Sequence, residues 1–154
     1  GWKANDVGEE DAYGNANVVV NTQHRNSQGM RMQDDMPNWL KTKRQLQAIV
    51  EEYAKNNGIE ISSQENYRII KYKSGSGFFA EHSDYSETTQ RKISLILYLN
   101  TIAEGGETYF RAKDLLIKPS AGTVVLFKSN DEKNVHEGLK SMNEDKYIIV
   151  NWFN

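Results

Sequence analysis

The sequence predicts a mainly β domain of the sandwich or jelly-roll kind, buttressed by one helix. Three observations carry this: a single helical stripe, a succession of short apolar runs after Gly58, and turn residues in the gaps between them. With 154 residues the chain is long enough for one domain with its own core. We divide it into an irregular amino-terminal arm, 1–17, and a single domain, 18–154, without internal repeats.

The arm is polar and rich in Gly, Asn, Asp and Glu. Val18-Val19-Val20 starts a short extended element, and residues 21–32, with Ser27-Gln28-Gly29, read as a surface loop. The helix is expected over 38–56. There Leu46, Ile49, Val50 and Tyr53 form one apolar stripe, Pro37 suits the start, and Asn57-Gly58 supplies a left-handed stop. Strands follow at 67–73, Phe78–His82, 92–100, 107–111, 115–118, 123–128 and 147–153. They are divided by Ser74-Gly75-Ser76-Gly77, the polar loop 83–90, Gly105-Gly106 and Pro119-Ser120-Ala121-Gly122.

Bulk composition excludes several classes. Nineteen basic and 21 acidic residues leave a net charge of −2, which offers no basic field for nucleic acid. Without cysteine there are no disulfides, zinc-thiolate sites or thiol nucleophiles. No apolar run approaches a membrane span, and no charged-then-apolar leader opens the chain. A cytoplasmic, reducing setting and a monomer are expected. Gly1 in place of methionine reads as an engineered, processed or partial chain.

The chemistry concentrates in His82, Asp84 and His136. Two imidazoles and one carboxylate are the usual ligand set of catalytic non-haem iron(II), and they leave the opposite coordination positions open. Residues i and i+2 of an extended segment share a face, so His82 and Asp84 can reach one metal while Ser83 points away. An isolated His-x-Asp is a weak signal. It gains weight because the chain has only three histidines and His136 follows an apolar run. Lys146 opens the most apolar terminal segment, where an unpaired ammonium would be costly. No acidic residue lies at an obvious facing position, which suggests a ligand carboxylate as its partner. Tyr72, Tyr98 and Trp152 read first as strand aromatics and second as cavity walls. Glu65 and Arg91 are individually bland, since a surface ion pair contributes little.

Together these motifs resemble a family. Tyr72, His82-Ser83-Asp84, Leu97-Tyr98-Leu99-Asn100, Gly105-Gly106-Glu107-Thr108, Pro119, Gly122, His136-Glu137-Gly138, Lys146 and Trp152 are similar to the catalytic domain of the 2-oxoglutarate- and iron(II)-dependent prolyl 4-hydroxylases. The resemblance runs from about Arg25 to the end. It implies a double-stranded β-helix, a cupin-like jelly roll, with iron on His82, Asp84 and His136. Lys146 would bind the far carboxylate of 2-oxoglutarate, with hydroxyl contacts from Tyr72 and Tyr98. Glu65, Arg91 and Trp152 would line a peptide groove, and residues 21–32, with Arg25-Asn26-Ser27, would be the mobile strand and loop that folds over substrate. The implied reaction hydroxylates C4 of prolyl residues with O2, releasing succinate and CO2, with ascorbate as reductant.

Departures from the family pattern are Phe79 for a tyrosine near the target ring, Lys140-Ser141 for Pro-Val, and Glu144 for glycine. None of them touches iron or co-substrate. Phe79 keeps open a second reading, the same chemistry on a free amino acid or another side chain. A third is a catalytically inert jelly-roll binding module. A nucleic-acid demethylase fits poorly, because no arginine pair follows His136 and the charge is balanced.

Overall fold

The computed structural model describes residues 2–4 and 23–154. The expected Val18-Val19-Val20 element and most of the expected arm lie outside the described residues. In chain order the elements are β1 (Lys3–Ala4), β2 (Arg25–Asn26), β3 (Gln28–Arg31), α1 (Trp39–Asn57), β4 (Arg68–Tyr72) and β5 (Phe78–His82). They continue with β6 (Ile93–Tyr98), β7 (Thr108–Phe110), β8 (Leu115–Ile117), β9 (Val124–Lys128), β10 (His136–Gly138) and β11 (Lys146–Phe153). Single 3-10 turns occupy Arg111–Lys113 and Glu132–Asn134.

Among the described residues all strand pairings are antiparallel: six strands form one sheet in the order β1-β3-β4-β11-β6-β9, and five form the other in the order β2-β5-β10-β7-β8. Mainly β architecture with one helix is therefore as the sequence predicts. Alternation along the central strands explains how the layers assemble. From β6, Ile93, Leu95 and Leu97 pack with Ile149 and Phe153 of β11 against Trp39, Leu46, Val50 and Ala54 of α1. The opposite faces of the same strands, with Ile96, Tyr98, Ile148 and Val150, turn toward Phe110 and Phe127 between the sheets. Because α1 covers one face and the second sheet covers the other, β6 is buried along its whole length. Its sequence accordingly reads as an unbroken apolar run rather than an alternating one.

Three expectations need correction. Ile49 is 41 % exposed, so it is not part of the helix's core stripe, which runs through Trp39, Leu46, Val50 and Ala54 instead. The surface loop expected at 21–32 contains two strands where it is described. Met30 pairs with Ile69 and Arg25 pairs with Phe79, and main-chain hydrogen bonding needs no apolar side chains at such outer positions. Lys3–Ala4 likewise pairs with β3 where irregular chain is expected. The helix stop is as predicted, with Gly58 left-handed at φ 64° and its N–H on the carbonyls of Ala54 and Lys55.

Gly105 and Gly106 both have positive φ. A side chain at Gly105 would run into the Lys140 carbonyl, and Gly106 N–H donates to that same carbonyl at 2.9 Å. This turn therefore brings the 104–107 segment against the stem of Lys146.

Candidate active site

The two histidines meet through strand register. In β5 and β10, His82 and His136 are direct cross-strand partners, and their ring centroids lie 4.4 Å apart. His82 donates from Nδ1 to the Ala80 carbonyl at 2.8 Å, and His136 donates from Nδ1 to the Asn134 carbonyl at 2.9 Å. A carbonyl oxygen can only accept, so each Nδ1 carries a proton and each Nε2 is left facing Asp84. Burial pushes the His136 pKa below its usual value, only partly offset by Asp84.

Asp84 stands just beyond β5. Its Oδ1 lies 3.4 Å from His82 Nε2 and its Oδ2 lies 3.9 Å from His136 Nε2. Burial alone would raise this carboxyl. Contact with His82, the charge on His136 and the Ser94 hydroxyl outweigh it and hold the group well below the ordinary carboxylate range. One donor atom from each of the three residues falls within 4.8 Å of the others. Three lone-pair donors this close, with the proton of each ring committed to the far nitrogen, suit a divalent cation between them. The donor set is one carboxylate and two imidazoles with no sulfur, and it fits ferrous iron.

Lys146 is 2 % exposed and points between the sheets. Alternation along β11 puts it on the same face as Ile148, Val150 and Trp152, while register sets it opposite Tyr72 of β4. Its Nζ donates to the Gly106 carbonyl at 2.8 Å and sits 4.6 Å from the centre of the Tyr72 ring. Among the described residues it makes no ion pair. Burial pulls its pKa down to about 8 against a weaker opposing pull from Glu107. A methyl added at Gly138 would come within 3.9 Å of Nζ, so the absence of a side chain there keeps the ammonium approachable.

One cavity is lined by His82, Asp84, His136, Lys146, Tyr72, Trp152 and Phe79, together with Arg25 and Thr108. Tyr98 is fully buried, and its hydroxyl meets Thr108 Oγ1 at 2.6 Å, so Thr108 presents the polar end of that pair to the cavity. Burial pushes the Tyr98 phenol up to about 12, which keeps it a neutral donor.

Phe79 stacks on His82 at 3.6 Å, and the Arg25 guanidinium lies over the Phe79 ring at 4.3 Å. Glu65 and Arg91 prove to be partners of each other. Arg91 makes a two-pronged bond to Glu65, at 2.5 Å from Nε and 3.0 Å from Nη2, and lies 4.0 Å over the Trp152 ring. A separate hollow of about 290 Å³, bordered by Asp34, Trp39, Lys43 and Glu65, contains none of the three metal donors.

Sequence reasoning overlooked Ser94, whose hydroxyl donates to Asp84 Oδ2 at 2.7 Å, and its neighbour Ser129. A polar residue inside the fully buried run Ile93–Tyr98 was the available signal, because buried hydroxyls need a partner.

Two antiparallel sheets thus enclose a His-Asp-His donor set that could hold a metal ion, with a buried lysine on the same cavity. The model of the 2OG-Fe(II) oxygenase superfamily matches residues 67–154, more than half of the chain, and the protein belongs to that superfamily. Among relatives, it is 26 % identical over 133 residues to prolyl 4-hydroxylase 1 of Arabidopsis thaliana, covering 70 % of this chain and 47 % of that protein. It is 22 % identical over 147 residues to a putative prolyl 4-hydroxylase of Acanthamoeba polyphaga mimivirus, covering 84 % and 58 %. The chain thus spans about half the length of the curated relatives it matches.

Two solved structures share the fold. The viral collagen prolyl hydroxylase of Paramecium Bursaria Chlorella virus-1, in its 2OG complex, has a TM-score of 0.71 at 24 % identity, over 84 % of this chain and 79 % of that one. A Trichoplax adhaerens prolyl hydroxylase bound to a hypoxia inducible factor peptide fragment has a TM-score of 0.72 at 20 % identity, over 97 % and 70 %. The jelly roll is therefore of the double-stranded β-helix type.

Proposed function

We propose that the protein is a 2-oxoglutarate- and Fe(II)-dependent dioxygenase that hydroxylates C4 of prolyl residues in a peptide or protein. One observation carries the reading. Three side chains able to donate to a metal and one buried ammonium without a carboxylate partner among the described residues line the same cavity. Ferrous iron and 2-oxoglutarate, when bound, supply the oxidising chemistry: one oxygen atom of O2 enters a substrate C–H bond, and the other leaves in succinate alongside CO2.

The chain's own groups would hold and orient. His82, Asp84 and His136 offer the metal three lone pairs. Lys146 takes the far carboxylate of the co-substrate, with the Tyr72 hydroxyl and the Tyr98–Thr108 pair offering hydrogen bonds. Glu65, Arg91 and Trp152 form one packed cluster, which suits the wall of a peptide groove. Phe79 supplies an apolar surface against His82 that excludes water beside the reacting carbon. The prolyl target is supported by the prolyl 4-hydroxylase relatives and by the peptide-bound Trichoplax structure of the same fold. Retention of all four groups argues against an inert binding module. Among the described residues no helix is long and apolar enough to cross a membrane. A monomer working in the reducing cytoplasm, with ascorbate as reductant, completes the reading and accords with the cysteine-free composition.

The test is a panel of proline-containing peptides, with free proline alongside, incubated with Fe(II), ascorbate and 2-oxoglutarate. The expected result is a mass gain of one oxygen on a prolyl residue, matched by succinate. Oxygen gained on free proline alone would move the target to the amino acid, and no iron-dependent succinate would end the oxygenase reading.

A further inference from the structure

Asp84 differs from the other two metal donors in how it is held. His82 and His136 sit on paired strands, each with its second ring nitrogen tied to a carbonyl. Asp84 stands in the connection after β5, where no strand fixes its side chain. A carboxylate in such a place keeps two free torsions unless something outside it supplies a donor.

That donor comes from the other sheet. Ser94 lies on β6, on the inward face with Ile96 and Tyr98, and is 1 % exposed. Its hydroxyl is 2.7 Å from Asp84 Oδ2 and 2.7 Å from the hydroxyl of Ser129, itself 3 % exposed. The direction of the chain is fixed by proton count. A carboxylate only accepts, so Ser94 spends its single hydroxyl proton on Asp84, and the contact with Ser129 must be donated by Ser129. Two serines among Ile, Leu and Phe would each be costly if unpaired, and here each is satisfied by this one line of bonds. Arg91 Nη1 approaches the Asp84 main-chain carbonyl at 3.4 Å, so the residue is also steadied at its backbone.

We propose that Ser94, backed by Ser129, is a positioning residue for the metal: through its bond to Oδ2 it fixes the Asp84 carboxylate in the orientation that faces Nε2 of both His82 and His136. The inference rests on the metal assignment under Proposed function.

The experiment uses Co(II) alone, without co-substrate, titrated into the chain, Ser94→Ala, Ser129→Ala and Asp84→Ala, with affinity by calorimetry and coordination by the visible bands of bound Co(II). Substitutions of groups that orient metal ligands lower metal affinity by about 10- to 100-fold. Ser94→Ala should therefore bind Co(II) at least tenfold more weakly and show shifted visible bands, as the Asp84 carboxylate loses its fixed orientation. Ser129→Ala, acting through Ser94, should show a smaller fall of at least about threefold. A serine that only fills space would leave the bands in place. Ser94→Ala affinity within threefold of the unsubstituted chain, with unchanged bands, overturns the proposal. If Ser94→Ala does not fold, Ser129→Ala decides by the same threefold criterion. If the unsubstituted chain takes up no Co(II), or Asp84→Ala binds it equally well, the metal assignment itself has failed.

Discussion

Lys146 concentrates the conflict between stability and use in a single side chain. The ligand-free fold buries an ammonium against one carbonyl and an aromatic face, and burial holds its pKa near 8 rather than 10.5. The folded pKa is depressed, so between pH 8 and 10.5 the unfolded chain holds a proton that the folded chain has lost. Stability without ligand should therefore rise with pH across that window and carry the full cost below it. The difference corresponds to on the order of 3 kcal/mol. Lys146→Met keeps the volume and removes the charge, so in a thermal melt without co-substrate it should unfold at a higher temperature than the unsubstituted chain. A lower midpoint would mean the ammonium is well accommodated. The same variant should weaken 2-oxoglutarate binding by roughly two to three orders of magnitude, since leaving a buried charge unpartnered costs ~3–5 kcal/mol. For the unsubstituted chain, 2-oxoglutarate affinity should be flat below pH 8 and fall about tenfold per unit above it, because binding then requires proton uptake. A flat profile to pH 10 would remove Lys146 as the anchor. Arg91→Ala and Trp152→Ala should instead reduce peptide hydroxylation more than peptide-independent succinate release; equal losses would deny these residues a groove role.

At the scale of elements, the corrected helix stripe makes a paired prediction. Leu46→Ala empties a position that is 3 % exposed and should cost about 2–5 kcal/mol in urea unfolding. Ile49→Ala, on the exposed side, should stay within about 0.5 kcal/mol, and a large loss there would restore the stripe read from sequence. The difference between the two isoleucine and leucine positions was invisible to periodicity alone, because α1 presents its edge residues to solvent and recruits Trp39 and Ala54 instead. Strands with apolar runs and flanking turns, such as Phe78–His82 and Val124–Lys128, were legible. β2, β3 and β10 were not, since Arg-Asn, Gln-Gly-Met-Arg and His-Glu-Gly carry no apolar pattern and are held by main-chain pairing with their neighbours. The closeness of His82, Asp84 and His136 was legible from residue type and spacing, although Asp84 lies in the connection beyond β5 rather than on the strand that carries His82. The lysine was legible through the apolar strand that follows it. The Ser94–Ser129 line was not, because it joins residues 35 apart whose individual identities are ordinary.

Across the whole molecule the cavity is a joint between the two sheets. His82 and His136 belong to β5 and β10 of the five-stranded sheet, whereas Lys146, Tyr72 and Trp152 belong to β11 and β4 or face the cavity from the six-stranded one. Asp84 reaches across to Ser94 on β6, as Thr108 of β7 does to Tyr98 of β6. A metal ion by itself would therefore tie down the His-bearing sheet and the 83–90 connection, while a dicarboxylate running from that metal to Lys146 would clamp one sheet to the other. Binding to the folded state alone adds about 2.7 kcal/mol at a hundredfold excess over Kd, or a melting shift of roughly 5–10 °C for a domain of this size. We expect Co(II) to raise the midpoint in the chain and equally in Lys146→Met. Adding 2-oxoglutarate on top of Co(II) should raise it again in the chain but not in Lys146→Met, with slowed amide exchange in β11 and β4 as well as in β5 and β10. A second increment that survives in Lys146→Met, or protection confined to the five-stranded sheet, would place the co-substrate's far carboxylate somewhere other than on Lys146.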